Sequence, residues 1–252
     1  MRFASLGSGS RGNATLIEAG STRVLVDCGF SVKELEVRMQ RFELTPADLQ
    51  AVLVTHEHGD HIRGVGALAR KYRLPVWASS GTLQFEGLGE VPESKVLNVH
   101  APQVLQDLNI EPFPVPHDAK EPCQFVFSDG RVKVGLLTDT GSITRHIIEQ
   151  LDACYALMLE CNHDVEMLAD GPYPPALKRR VGGDFGHLSN RQAADVLAKM
   201  DSRCLHRVIA MHISEKNNDP ALAVAALREA LGCDDDDIQV AEQDTGFDWI
   251  TV

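Results

Sequence analysis

An α/β fold in one domain is expected for this chain of 252 residues, on three observations. Short apolar runs alternate with segments of helical period. Four of those runs end abruptly in residues able to bind a metal or a proton. Hydrophobic content of 44% and charged content of 24% sit near globular averages, and no linker divides residues 1–252.

In order, RFASL, ATLIEA and RVLVD open the chain as β-like runs separated by SGSRGN and GS turn signals, the pattern of an antiparallel meander. VKELEVRMQRF then reads as a helix, AVLVT as a strand, HIRGVGALARKY as a helix and PVWAS as a strand. The second half repeats the alternation: KVGLLTD, YALMLE and RVIAMH as strands, with ITRHIIEQL, NRQAADVLAKM and PALAVAALREAL as helices. FDWITV closes the chain as a strand, and DDDD at 234–237 reads as a solvated turn.

Composition removes several function classes. Apolar runs such as YALML are too short to span a bilayer, and MRFASLGSGS lacks the apolar stretch of a signal peptide, so a cytoplasmic protein without a membrane partner is expected. Cysteines at 28, 123, 154, 161, 204 and 233 form no C-x-x-C pair, which argues for buried reduced thiols rather than a zinc knuckle or disulfide scaffold. A net charge of −12 disfavours a broad electrostatic grip on nucleic acid. A polyanionic substrate would need a local positive field, which bound divalent ions can supply.

THEHGDH at 55–61, directly after AVLV, concentrates such ligands. In extended chain His56 and His58 project to one side and Asp60 shares their parity, while His61 falls where the next helix starts. Four ligands from one loop would crowd a single ion, so a pair of ions is the better reading. Further ligands belong at other strand ends: His117 in FPVPHDA, Asp139 in GLLTDTG, a carboxylate able to bridge two cations, and His212 in VIAMHIS. Any one histidine alone would more often be structural; the ordered set carries the reading.

HxHxDH followed by a lone histidine, a strand-end aspartate and a late strand-end histidine resembles the metallo-β-lactamase superfamily. The resemblance implies a four-layer αββα sandwich. One ion would be held by His56, His58, His117 and Asp139, the other by Asp60, His61, Asp139 and His212, with Asp27 supporting from behind. Zinc is the expected metal, with manganese or iron as alternatives. His58 stands where redox di-iron members typically carry Glu, so hydrolysis is favoured over oxygen chemistry.

Glu160, ending YALML, and His187 in GHLSN resemble the acid and histidine that ribonuclease Z-like phosphodiesterases place beside the leaving group. GSGSRGNATLI, LECNHD and GPYPPALKRRVGGDFGHLSN together resemble the YycJ/WalJ-type branch, which implies a 5′-to-3′ DNA exonuclease. In that reading hydroxide formed between the ions and oriented by Asp60 attacks phosphorus, and His187, paired with Glu160, protonates the leaving oxygen. Ser8, Asn13, Arg63, His163, Arg179 and Arg180 are the candidate substrate contacts, the last two from the KRR cluster that Lys178 opens. DNA or another phosphodiester is the expected partner, and the oligomeric state stays open. The alternatives are a small or cyclic nucleotide phosphodiesterase, a glyoxalase II-like thioesterase and a non-catalytic metal-dependent nucleic-acid-binding module.

Overall fold

The computed structural model describes residues 1–232 and 238–252. The meander appears as β1 (Arg2–Gly7), β2 (Ala14–Ala19) and β3 (Thr22–Val26), paired antiparallel in sequence order. β4 (Ala51–Leu53), β5 (Val76–Ala78) and β6 (Ser94–Val96) extend this sheet in parallel. A second sheet is built from β7 (Gln103–Leu105), β8 (Leu108–Pro114), β9 (Cys123–Ser128), β10 (Lys133–Leu137), β11 (Ala156–Glu160), β12 (Arg207–Met211) and β13 (Ile238–Val240). β14 (Phe247–Thr251) returns to pair with β1, giving sheet orders β14-β1-β2-β3-β4-β5-β6 and β13-β12-β11-β10-β9-β8-β7.

The two sheets face each other across a shared apolar layer in which Phe3, Ile17 and Leu53 of one meet Phe125, Phe127 and Met158 of the other. Each buried side chain of this size contributes about 1.5–3 kcal/mol. On its other face the first sheet is covered by the helices Val32–Gln40 and Val65–Tyr72, through Leu35, Met39 and Leu68. The helices Arg145–Leu151, Asn190–Lys199 and Pro220–Leu231 cover the second through Ile147, Val196 and Leu227. Helix, sheet, sheet, helix is the αββα sandwich expected above.

Where the structure departs from the sequence reading, the causes are local. The segment read as one helix from 61 to 72 is two, Gly59–Ile62 and Val65–Tyr72. Gly64 separates them, because a Cβ there would sit 2.0 Å from the Phe30 carbonyl oxygen. Asp60 therefore lies on a helical turn, and strand parity does not orient it. β6 to β9 gave no clear alternation. β8 contains Pro112 and Pro114, tolerated because β7 pairs only with its Leu108–Ile110 end and leaves the proline-bearing edge free of ladder bonds.

Cys28, Cys123, Cys154 and Cys161 are buried free thiols, as expected, whereas Cys204 is exposed. Cys233 and the DDDD turn lie outside the described residues. No described helix is long and apolar enough to cross a membrane.

Candidate metal centre and active site

The ligand-bearing residues gather at one rim of the sandwich, where β4, β10, β11 and β12 end. The last three strands run parallel in one sheet, so their C-terminal ends present Asp139, Glu160 and His212 side by side. Asp27, Asp139 and His212 each take up a left-handed backbone, with φ of 61°, 48° and 51°. For non-glycine residues this costs about 1–3 kcal/mol each, strain of a kind that clusters at functional sites and that the surrounding hydrogen bonds must hold.

His56 Nε2 lies 3.0 Å from His58 Nδ1, which lies 3.1 Å from His117 Nε2. Three nitrogens thus converge on one point. Their tautomers follow from the opposite ring edges. His117 Nδ1 is 2.9 Å from the Gly186 carbonyl, which only accepts, so Nδ1 carries the hydrogen and Nε2 keeps its lone pair. Thr55 Oγ1 gives its single proton to Asp27 at 2.9 Å and therefore accepts from His56 Nδ1, also at 2.9 Å. His56 Nε2 is free in the same sense. Burial pushes His56 well below the ordinary imidazole value and lowers His117 too, which keeps both neutral.

Beside this trio, His61 Nε2 stands 3.6 Å from Asp60 Oδ2 and 2.5 Å from Asp139 Oδ2. His212 lies 3.5 Å from Asp60 and 2.5 Å from Asp139 Oδ1. His61 Nδ1 donates to Asp27 at 2.8 Å. Here the proton balance is reversed. Burial alone would lower His61, but Asp139, Asp27 and Asp60 overcome it and hold the imidazole well above its usual range. Burial likewise opposes His212, and Asp139 then raises it to about 9. Asp139, penalised by burial, is pulled well below the usual carboxylate range by His212 and His61.

The donor set fits a pair of divalent ions. Both Asp139 oxygens and His212 Nδ1 are buried without a hydrogen-bond partner among the described residues, although nitrogens stand within 2.5 Å of those oxygens. Close approach without hydrogen-bond geometry is what ligands aimed at a common ion produce. The trio His56, His58 and His117, the trio Asp60, His61 and His212, and the set His56, His61 and Asp139 that joins them each bring ligand atoms within 4.8 Å of one another. Imidazole and carboxylate donors without thiolates are those of a reactive rather than a closed structural site.

Glu160 is fully buried, and its Oε2 accepts from the backbone N–H of Thr140 at 3.0 Å and of Leu188 at 3.1 Å. Its Oε1 receives His187 Nδ1 at 2.7 Å, and the same nitrogen lies 3.0 Å from Asp139. Burial opposes the charge on His187, but Glu160 and then Asp139 raise it well above the ordinary value. With Nδ1 engaged, Nε2 on the opposite ring edge is left for a group in the cleft.

That cleft, of about 340 Å³, is floored by His58, Asp60, Asp139, His187 and His212 and walled by Tyr173, Leu177 and Arg180. A larger hollow of about 570 Å³ lies away from the ligands, between the helices Asn190–Lys199 and Pro220–Leu231.

Of the candidate substrate contacts, Arg180 reaches the cleft, with its Nε 2.5 Å from Asp118 Oδ2. Arg179 is exposed outside the lining, and Lys178 bonds the Ala169 carbonyl. Ser8 is buried and accepts the His212 N–H at 2.8 Å, so it anchors the backbone of a candidate ligand. Asn13 Nδ2 lies 3.1 Å from His61 Nε2 and 3.4 Å from Asp60 Oδ2 while the same side chain ties down Gly9. Arg63 is exposed and donates to the carbonyls of Arg11 and Gly29. His163 is buried away from the cleft lining, and burial lowers it to about 4, so it is neutral. Sequence reasoning missed Thr55 as a tautomer lock, although it directly precedes His56, and missed Asp118, next to His117, as the partner of Arg180.

A family model described as a beta-lactamase superfamily domain matches residues 22–213. The chain is 37% identical over 235 residues to exodeoxyribonuclease YycJ of Bacillus anthracis, covering 92% of this chain and 89% of that protein. It is 36% identical over 228 residues to exodeoxyribonuclease WalJ of Streptococcus pneumoniae, covering 88% and 85%. Among solved structures, the metallo-beta-lactamase fold protein YhfI from Bacillus subtilis aligns with a TM-score of 0.76 over 98% of this chain and 97% of that one. At 18% identity that likeness speaks to the fold.

Proposed function

Because the chain belongs to the metallo-β-lactamase superfamily, we propose that this metal-dependent hydrolase is a dinuclear phosphodiesterase that removes nucleotides from DNA in the 5′-to-3′ direction. The observation that carries the reading is the Glu160–His187 pair, which holds a raised imidazole against Asp139 at the edge of the cleft. A phosphodiester needs a proton donor for its alkoxide leaving group, and such a donor is worth about 10²–10⁴-fold. A thioester releases thiolate readily and gives this pair no task. The names of YycJ and WalJ point to DNA.

His56, His58, His117 and Asp139 would hold one ion, and Asp60, His61, Asp139 and His212 the other. Two divalent ions, zinc foremost with manganese or iron as alternatives, supply Lewis acidity that lowers the pKa of water and neutralises phosphate oxygens. Asp60 orients the attacking water from the floor of the cleft. His187 gives its Nε2 proton to the departing oxygen while Glu160 keeps the ring charged and fixed. Arg180, on the cleft wall, meets a phosphate oxygen in exchange for Asp118. Both sheets contribute ligands to this one centre, which supports reading the chain as a single domain.

The charge of −12 favours a second reading, a small or cyclic nucleotide as substrate. Metal-loaded protein is to be incubated separately with DNA labelled at either end, a cyclic nucleotide, bis-p-nitrophenyl phosphate and a glutathione thioester. Mononucleotide release from the 5′ end is the expected result. Turnover of the cyclic nucleotide alone would favour the second reading, turnover of the thioester alone would remove the phosphodiester reading, and DNA binding without cleavage would mark a non-catalytic module.

A further inference from the structure

Phe185 has no part in the metal centre, yet its placement is unusual. The large hydrophobic side chains left exposed among the described residues are aliphatic apart from this one, which is 63% exposed. An exposed Phe on a floppy loop would mean little. Here the backbone beneath it is pinned to the active site on both sides. The Phe185 carbonyl accepts the Asp118 N–H at 3.0 Å, and the next carbonyl, of Gly186, accepts His117 Nδ1 at 2.9 Å. Gly186 N–H closes onto the Gly183 carbonyl at 2.8 Å, and His187 N–H onto the Val181 carbonyl at 2.8 Å.

The turn that fixes a ligand tautomer and delivers His187 therefore also presents a bare aromatic ring, one residue from the cleft lining. Gly186 has no room for a side chain, since a Cβ there would lie 2.1 Å from the Arg180 carbonyl oxygen, so the turn is tightly seated. The cleft that Gly186 lines also carries Tyr173 and Leu177 as apolar surface and Arg180 as the cation. A pinned aromatic beside an anion-binding cleft is how proteins hold unpaired nucleobases, whose π-faces stack without regard to sequence.

We propose that Phe185 is the stacking platform for an unpaired base of the nucleotide flanking the scissile phosphate, a specificity-determining residue that selects nucleic-acid ends over small phosphodiesters. The inference rests on the nuclease reading above. Phe185 stacks with an unpaired base and so favours frayed or single-stranded ends over a closed duplex.

The test is a cycle between ring and base. Wild-type, Phe185→Ala and Phe185→Trp proteins are loaded with metal and assayed on oligonucleotides bearing either a normal or an abasic nucleotide on each side of the cleaved bond. Phe185→Ala should raise KM for the normal substrate by about 5- to 150-fold, the range of stacking losses on alanine substitution, with kcat moving far less. Removing the base should cost wild type a similar factor and the alanine variant almost nothing further, while Phe185→Trp restores or tightens binding.

Independent, multiplying losses would overturn the proposal, because they place the base elsewhere. Equal KM for normal and abasic substrates in wild type would overturn it too. If wild type cleaves bis-p-nitrophenyl phosphate and no oligonucleotide, the nuclease reading fails first, and the platform fails with it.

Discussion

The histidines on the two sides of the candidate metal centre are held in opposite protonation states, His56 and His117 neutral and His61 and His212 charged. The hydrogen-bond partners of His56 and His117, Thr55 and the Gly186 carbonyl, are neutral, the Asp118 carboxylate stays 3.6 Å from His117, and burial lowers both rings. Around His61 and His212 the carboxylates of Asp139, Asp27 and Asp60 crowd in, and both rings are raised. The first half offers lone pairs in advance; the second holds protons where a cation belongs and must release them to bind one. The difference lies in how near the carboxylates come: Asp139 is 2.5 Å from His61 and from His212 but 3.9 Å from His56, and Asp27 adds its charge behind His61.

Asp139 faces both halves, so Asp139→Asn should break the comparison outright. Metal content should fall in both halves and hydrolysis drop on the order of a thousandfold, read by elemental analysis alongside diester turnover. Next in size is His187→Ala, which should lower kcat by about 10²–10⁴-fold with both ions retained; loss of metal in this variant would show a structural role instead.

Asp27→Asn should act on one half only. It removes the charge that holds His61, and affinity for one of the two ions should weaken by about 10- to 100-fold, visible as a split binding isotherm.

The smallest effect is one of pH. His212, raised to about 9, is protonated in metal-free protein at neutral pH and must lose that proton to become a ligand. Metal affinity of this half should therefore climb with pH and level off above about 9, with proton uptake by buffer measurable in calorimetry. By the same sign, the stability that the His212–Asp139 pair lends the metal-free fold is fully present below the ordinary histidine range and lost as pH rises through about 9. A metal-free protein whose melting temperature is flat across that window would remove the charge asymmetry argued here.

The sandwich was largely legible because AVLV, VGLL, YALML and RVIAM are apolar runs of strand length that break off at polar residues. The stretch from 79 to 132 was not, since proline-bearing β8 and the short edge strands around it show little alternation to read. Asp60 was identified as a ligand candidate for the wrong geometric reason: its orientation comes from the Gly59–Ile62 turn. Of the substrate candidates, Arg180 alone among the three basic residues of its cluster faces the cleft, a distinction set by helical phase and by Asp118.

What the amino-acid order determined by itself was the inventory: which side chains can bind metal, where strands end beneath them, and the fold class that this alternation imposes. Tertiary structure alone decided which nitrogen of each ring is free and whether it carries a proton. Those properties hang on partners such as Asp27 for His61 and Gly186 for His117, which lie 34 and 69 residues away along the chain. Proton placement follows distance in space and local burial, and neither is written in the spacing of residues along a sequence.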